Sequence, residues 1–386
     1  MPLDEPGGKK YFIALNVYPG VRSIYKSFMK HLLLIITTCT FLSCQKDNGG
    51  ATVDPIPSAA YYYPPLTGDT WDTESATSIG WDDAKLQEAF DYAGTKNSFG
   101  LIVLHHGKIV KEQYWNGWTK DTKYYIASAG KSVVAFIAGI AQQEGTININ
   151  NKTSQYLGTG WTSLPLAKEN LITVKNQLTM TTGLDDGVPD PDCTTPSCLI
   201  YKADAGTRWA YHNAPYHLLQ TVLANASGKT FNQYSKEKLF DKIGMPNAFW
   251  LNYIMYCTTR EAARFGSLIL SKGKWNGTSL LTDATYFNAM TNTSQNYNLS
   301  YGYLWWLNGK ASTMVPQSQI VFPTSLVPNG PADMYMALGK DDKKIYVVPS
   351  LDVVVVRLGD NAGTTTLGPS SFDNDLWAKL KPAMKY

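Results

Sequence analysis

Where the strand-forming segments lie constrains this chain most. Leu101-Ile102-Val103-Leu104, the short turn His105-His106-Gly107-Lys108 and the run Ile109 to Trp115 read as a strand, a tight turn and a strand. Met334 to Leu338, Lys344 to Val348 and Val353 to Leu358 form a second set near the other end, the last two joined through Pro349-Ser350-Leu351-Asp352. Helical periodicity fills the interval between the two sets. A helix opens at Ser128 and runs through Val133, Val134, Phe136, Ile137 and Ile140 to about Gly145, with apolar positions mostly three or four apart. Another begins near Pro215, carries Leu219, Val222, Leu223 and Ala226 on one face, and stops at Gly228. Thr258 and Glu261 form a capping box ahead of Ala262, Phe265, Leu268 and Ile269, a run that ends at Gly273. A last helix carries Leu376, Trp377 and Leu380. The pattern predicts an α+β fold whose sheet is completed by both chain ends, with a mainly helical region inserted between them.

Composition narrows the class of function. The chain has 386 residues, 44% of them hydrophobic and 17% charged, enough for a substantial core in one large or two modest domains. A formal charge of +3 without a long basic run argues against a nucleic-acid partner.

Met29-Lys30-His31, the apolar run Leu32 to Leu42 and then Ser43-Cys44 describe a secretory signal, too short to span a bilayer comfortably. Cleavage before Cys44 resembles processing of a bacterial lipoprotein, with the cysteine lipidated. Translation is expected to start at Met29, so residues 1–43 read as an upstream extension and signal. Residues 44–75 read as a tether, because Gly, Pro, Ser and Thr dominate it. Residues 76–386 are then the exported domain, its helical part about 126–290 and its sheet part about 76–125 plus 291–386. The only membrane attachment expected is the lipid anchor, in a bacterial envelope.

Ser128-Ala129-Gly130-Lys131 places a hydroxyl and an amine one helical turn apart. A serine attacks well only when a neighbouring base takes its proton, and a lysine serves as that base only when its surroundings keep it neutral. The same spacing recurs at Ser23, Ser27, Ser43, Ser235 and Ser271. The first three precede or straddle the signal break, Ser235 lies in a polar stretch read as solvated surface, and Ser271 lies at a helix end. Only Ser128 opens a long apolar helix. An N-cap serine followed by a first-turn lysine is the bland alternative.

A second block, Trp209-Ala210-Tyr211-His212-Asn213, immediately precedes a helix. Together with Tyr124 to Lys131, Gln177 to Leu184, Thr259 to Gly266 and Tyr301 to Trp306, the ordered blocks resemble the serine β-lactamase and penicillin-binding protein superfamily, in its class C-like branch. That branch includes D-amino-acid peptidases, esterases and 6-aminohexanoate-dimer hydrolases. The resemblance implies an antiparallel sheet flanked by helices and an acyl-enzyme hydrolase acting on small esters, amides or peptides. It implies that Ser128 is the nucleophile and Lys131 its base, that Tyr211 shares their protons, and that Asn213 orients the substrate or the lysine. Tyr211 as an ordinary packed aromatic and Asn213 as a helix cap are the bland alternatives.

Relatives carry Lys-Thr-Gly or His-x-Gly on a strand lining the site. The matching strand here is Ala337-Leu338-Gly339, followed by Lys340. Gly339 would let substrate approach the backbone, and the Lys340 amide with the Ser128 amide would receive the oxyanion. Leu338 replaces a polar residue and cannot pair with a substrate carboxylate. This departure predicts weak β-lactamase action and better activity on neutral esters or small amides, unless Lys340 or Lys343 swings its amine into the cleft.

The remaining candidates are weaker. His105 and His106 lie at a hairpin turn, while His212 and His217 flank a helix start, with His212 placed to shape the cleft. Cys193 and Cys198 lack the partners of a zinc site and, in an exported protein, are expected to form a disulfide. Asp185-Asp186 and Asp190-Asp192 read as a solvated loop rather than a calcium site. No cofactor and no metal are expected. The competing class of function is a non-catalytic penicillin-binding or sensor module that acylates once and stops.

Overall fold

The computed structural model describes residues 61–363 and 369–386, and residues 59–386 form one compact unit. The signal segment, Cys44 and residues 44–60 lie outside the described residues. Six strands make the main sheet: β1 Ser98–His105, β2 Lys108–Tyr114, β3 Trp306–Leu307, β4 Tyr335–Gly339, β5 Lys343–Val348 and β6 Val353–Gly359. Their order is β2-β1-β6-β5-β4-β3, with every neighbouring pair antiparallel. The two chain ends meet where β1 pairs with β6, Leu101 opposite Arg357 and Val103 opposite Val355.

Strand β6 is buried throughout because both faces of the sheet are covered. Val354 faces the helix α4, and Ile345 and Val347 of the neighbouring strand share its side. Here the helices are α1 Asp83–Gly94, α2 Gly130–Gln143, α3 Asn213–Ser227, α4 Thr259–Leu270 and α5 Ser371–Met384. A Cβ on Gly266 would stand 2.5 Å from Val354 Cγ1, so glycine there sets how closely α4 lies on the sheet. The alternate positions, Lys344, Tyr346 and Arg357, point to the other face. There Tyr346 meets Trp377 edge-on at 5.5 Å and the Arg357 guanidinium lies 5.0 Å from the Phe372 ring. The capping box at Thr258 forms, its side chain accepting from the Glu261 amide.

The helical region is not a separate body. One hydrophobic cluster runs from Trp71 through α2 and α4 to Met384. Helix α2 is buried on all sides from Gly130 to Ala141, as a helix at the centre of a domain must be. Each of Val133, Val134, Phe136 and Ile137, fully removed from water, contributes about 1.5–3 kcal/mol. Two strands, Phe249–Leu251 and Ile254–Cys257, lie inside the stretch expected to be helical and pair into a three-stranded sheet with Tyr124–Tyr125.

The expected tether does not extend to residue 75. Residues 61–75 pack along the hairpin of β1 and β2. Tyr62 N donates to His106 O, Ile109 N to Asp72 O and Glu74 N to Ile109 O, at 3.1, 2.9 and 3.0 Å. Trp71 is buried, its indole donates to Gly107 O at 2.8 Å, and the Arg264 guanidinium lies 5.2 Å from its ring. The Pro-rich composition suggested a linker. The aromatic side chains and the unpaired edge of β2 supply the burial and hydrogen bonds that hold the segment down.

Candidate active site

Ser128 sits in a single 3₁₀ turn, Ala127–Ala129, that leads directly into α2. Ala127 has φ 47°, a left-handed conformation costing a non-glycine residue about 1–3 kcal/mol. The turn is held on both sides: Ile126 N donates to Met255 O at 2.9 Å, and Ala129 N to Ile126 O at 3.1 Å. Strand β4 closes on it from the sheet. A side chain at Gly339 would collide with Ile126 O, so only glycine lets the strand end this near the serine turn.

Lys131, one turn along, is 2% exposed. Its Nζ donates to Ser128 Oγ at 2.9 Å and to Asn213 Oδ1 at 2.9 Å. The rings of Tyr211 and Tyr216 lie 4.9 and 4.4 Å from the same nitrogen. Among the described residues no carboxylate stands within ion-pair distance of it. Burial drives its pKa from 10.5 down to about 7, with the Asp192 charge opposing. A large fraction is therefore free amine at neutral pH, able to accept the Ser128 proton.

Tyr211 is half-buried, and burial pushes its phenol well up, with the Ser128 hydroxyl opposing, so it is protonated at neutral pH. Its ring stacks on Trp306 of β3 at 5.6 Å, which joins the helical side of the site to the sheet edge. Two of the sequence blocks act as frame. Ala210 N donates to Met180 O at 2.9 Å, Leu304 N to Leu178 O at 3.0 Å, and Ser132 Oγ to Leu304 O at 2.8 Å. Asn213 is the first residue of α3, and the N-cap is His212. His212 itself is buried, and burial lowers its pKa to about 4, with Asp186 and Asp185 opposing, so the imidazole is neutral.

The lysines after Gly339 differ in how they are held. Lys340 is exposed. Lys343 has a fully buried side chain, with Nζ 3.1 Å from the Tyr125 hydroxyl, 3.6 Å from Asp341 and 3.5 Å from Asp360. The expectation that Lys343 could swing into the cleft is corrected: its side chain is fully buried and held by Tyr125, Asp341 and Asp360. Lys344 is held by Asp342 at 3.1 Å and Asp373 at 2.8 Å. This network was missed. The run Asp341-Asp342-Lys343-Lys344 is its only local signal, and its other members, Tyr125, Asp360 and Asp373, lie outside that run. Ser235 is a second correction. It is fully buried, not solvated, with its hydroxyl donating to Phe231 O at 2.6 Å while Lys238 pairs with Glu144.

Cys193 and Cys198 are bridged, S–S 2.04 Å. Asp185 and Asp186 pair with Lys202 and Arg208, at 3.4 and 2.6 Å. These four line a cavity of about 420 Å³ with Gln317 and Gln319. His105 and His106 pair with Glu74 and Asp352, on the hairpin at the far end of β1. Among the described residues no cluster of His, Cys, Asp or Glu is arranged to hold a metal, and no helix is long and apolar enough to cross a membrane.

Residues 86–366 match the protein-family model described as Beta-lactamase. An uncharacterised protein of Alkalihalophilus pseudofirmus is 23% identical over 321 residues, covering 72% of this chain and 88% of that one. The D-alanyl-D-alanine-carboxypeptidase/endopeptidase AmpH of Escherichia coli is 29% identical over 177 residues, 40% of this chain and 45% of AmpH. Among solved structures, a putative 6-aminohexanoate-dimer hydrolase from Bacillus anthracis superposes with TM-score 0.61 at 18% identity, over 83% of this chain and 88% of that one. With the family model spanning most of the chain and the fold shared with solved members, the chain belongs to the beta-lactamase family, an enzyme family of serine hydrolases.

Proposed function

We propose that the chain is an exported hydrolase that acylates Ser128, with Lys131 as the base. The observation that carries this reading is a buried amine 2.9 Å from the Ser128 hydroxyl, hydrogen-bonded to neutral oxygens alone. As Oγ attacks the acyl carbon, its proton passes to Lys131 Nζ. The carbonyl oxygen takes the electron pair and is received by the amides of Ser128 and Lys340, next to the Gly339 approach. The C–O or C–N bond then breaks, and the leaving group takes a proton through the Tyr211 phenol. Water repeats the sequence on the acyl-serine. Asn213 keeps the lysine aimed at Ser128.

The substrate class follows from β4. Leu338 is buried and Lys343 is occupied, so the strand itself offers no cation to a substrate carboxylate, and Lys340 beyond its end is exposed. The reading favours neutral esters or small amides over penicillins, and over the peptides that AmpH's name specifies. The Met29 to Cys44 segment supports export as a lipoprotein in the cell envelope.

Fluorophosphonate labelling and peptide mass mapping test the nucleophile, alongside steady-state turnover of a short-chain nitrophenyl ester and a cephalosporin. The label is expected on Ser128, with turnover lost in Ser128→Ala and kcat/KM higher for the ester. Label on another serine overturns the assignment. A single burst of product without turnover returns the chain to the sensor reading, and a higher cephalosporin value overturns the substrate class.

A further inference from the structure

The groups that surround Lys131 are neutral. Ser128 lies on its own turn, Asn213 and Tyr216 on α3, and Tyr211 just before it, with the buried Tyr301 phenol behind the two tyrosines. His212 and His217 stand nearby, both neutral near pH 7 because burial lowers each pKa to about 4. The charge that reaches the amine comes from outside this shell, from Asp192.

Asp192 sits on a short loop built against the start of α3. Its amide donates to Asp190 Oδ1 at 3.0 Å, and Cys193 N to Asp190 O at 3.2 Å. The neighbouring Pro191 carbonyl accepts from Ala214 N at 3.0 Å, immediately after Asn213. Asp192 Oδ1 stands 3.8 Å from His217 Nε2, one turn further along the same helix, where His217 lies flat on Tyr253 at 4.6 Å. The Cys193–Cys198 bridge closes the loop, whose far side is anchored by the fully buried Leu199. The loop therefore grips the start of α3 at Ala214 and at His217, just after the residue that holds Lys131.

We infer that the bridged loop 190–198 is a positioning element for the Lys131 amine, acting through the Pro191 carbonyl and the Asp192 carboxylate on the first turn of α3. This rests on Lys131 being the base. The carboxylate favours the ammonium form, so it raises the pH at which the free amine appears. Because the Asp192 side chain is 56% exposed, salt weakens this influence. The bridge contributes separately, by holding the Asn213 amide oxygen in line with Nζ.

The test is kcat and KM for a nitrophenyl ester against pH, at low and high salt, for the parent, Asp192→Asn, Asp192→Glu and the double Cys193→Ser/Cys198→Ser variant. Asp192→Asn is expected to move the acid limb down by about 0.3–0.5 pH unit at low salt, and by much less near 1 M salt. Asp192→Glu should restore the parent limb. The double variant should lower kcat about fivefold with KM little changed. An acid limb unmoved by Asp192→Asn at low salt overturns the inference, and that variant keeps the bridge, so the result does not depend on the double variant folding. Turnover that survives Ser128→Ala or Lys131→Ala sinks the underlying mechanism. An unmoved limb with Ser128 still labelled sinks this inference alone.

Discussion

Lys131 and Lys344 are both buried lysines, within a few residues of the two sides of one cleft, and their surroundings are opposite. Lys131 donates to a serine hydroxyl and an asparagine oxygen under two aromatic rings. Lys344 stands between two carboxylates, Asp342 and Asp373, and Asp342 in turn accepts from Ser370 Oγ and the amides of Ala362 and Gly363. Burial penalises both charges. Only Lys344 has carboxylates beside it, and through them it braces the turn behind Gly339. Lys131 has none in contact and gives up its proton near pH 7. Burial by itself therefore does not set a buried lysine's surroundings; whether a carboxylate touches it separates the two.

The contrast can be broken by substitution. Lys131→Ala is expected to lower kcat about a thousandfold while KM changes only a few-fold, because the proposed role of the amine is in the chemical step. Steady-state kinetics on the ester checks this, and a near-normal kcat would put Lys131 on the structural side with Lys344. Lys344→Ala should instead act on stability. It leaves Asp342 and Asp373 buried without their cation, a loss of about 3 kcal/mol. A denaturant midpoint equal to the parent's would show that the ion pair carries no weight.

The pH dependence of stability sharpens the comparison. Lys131 has a folded pKa of about 7 against 10.5 in its unsuppressed state. Between those values the unfolded chain binds more protons, so this residue makes stability rise with pH across that window. Its penalty is fully present below about pH 7 and relieved towards pH 10.5. Lys131→Met should therefore be more stable than the parent at pH 6, by roughly 2 kcal/mol after the lost hydrogen bonds are counted. Urea titrations at pH 6 and pH 9.5 measure the two gaps. The gap should narrow at the higher pH, and a gap of constant size would mean that Lys131 is not held neutral by burial.

Several elements were legible because their cause is local. The Thr258–Glu261 box caps a helix from residues three apart. The apolar runs Lys344 to Val348 and Val353 to Leu358 read as strands, and both are. The one-turn spacing of Ser128 and Lys131 follows from helix geometry, although the serine lies on a 3₁₀ turn rather than at the helix cap. What was not legible depends on partners far along the chain. Composition made residues 61–75 a linker, yet the β2 edge and Arg264 hold them. Ser235 stands among charged residues and is nevertheless buried. Lys343 gave no sign of Tyr125, the residue that occupies it.

The sequence by itself determined the order of strands and helices, the family blocks, and the serine and lysine one turn apart. Those follow from side-chain periodicity and backbone geometry over a few residues. Tertiary structure alone decided which lysine is paired and which is bare, what Asn213 holds, and that Asp192 stands over the helix carrying it. Charge state depends on the distance to other charges and to water, and folding sets both between residues that are remote in the chain.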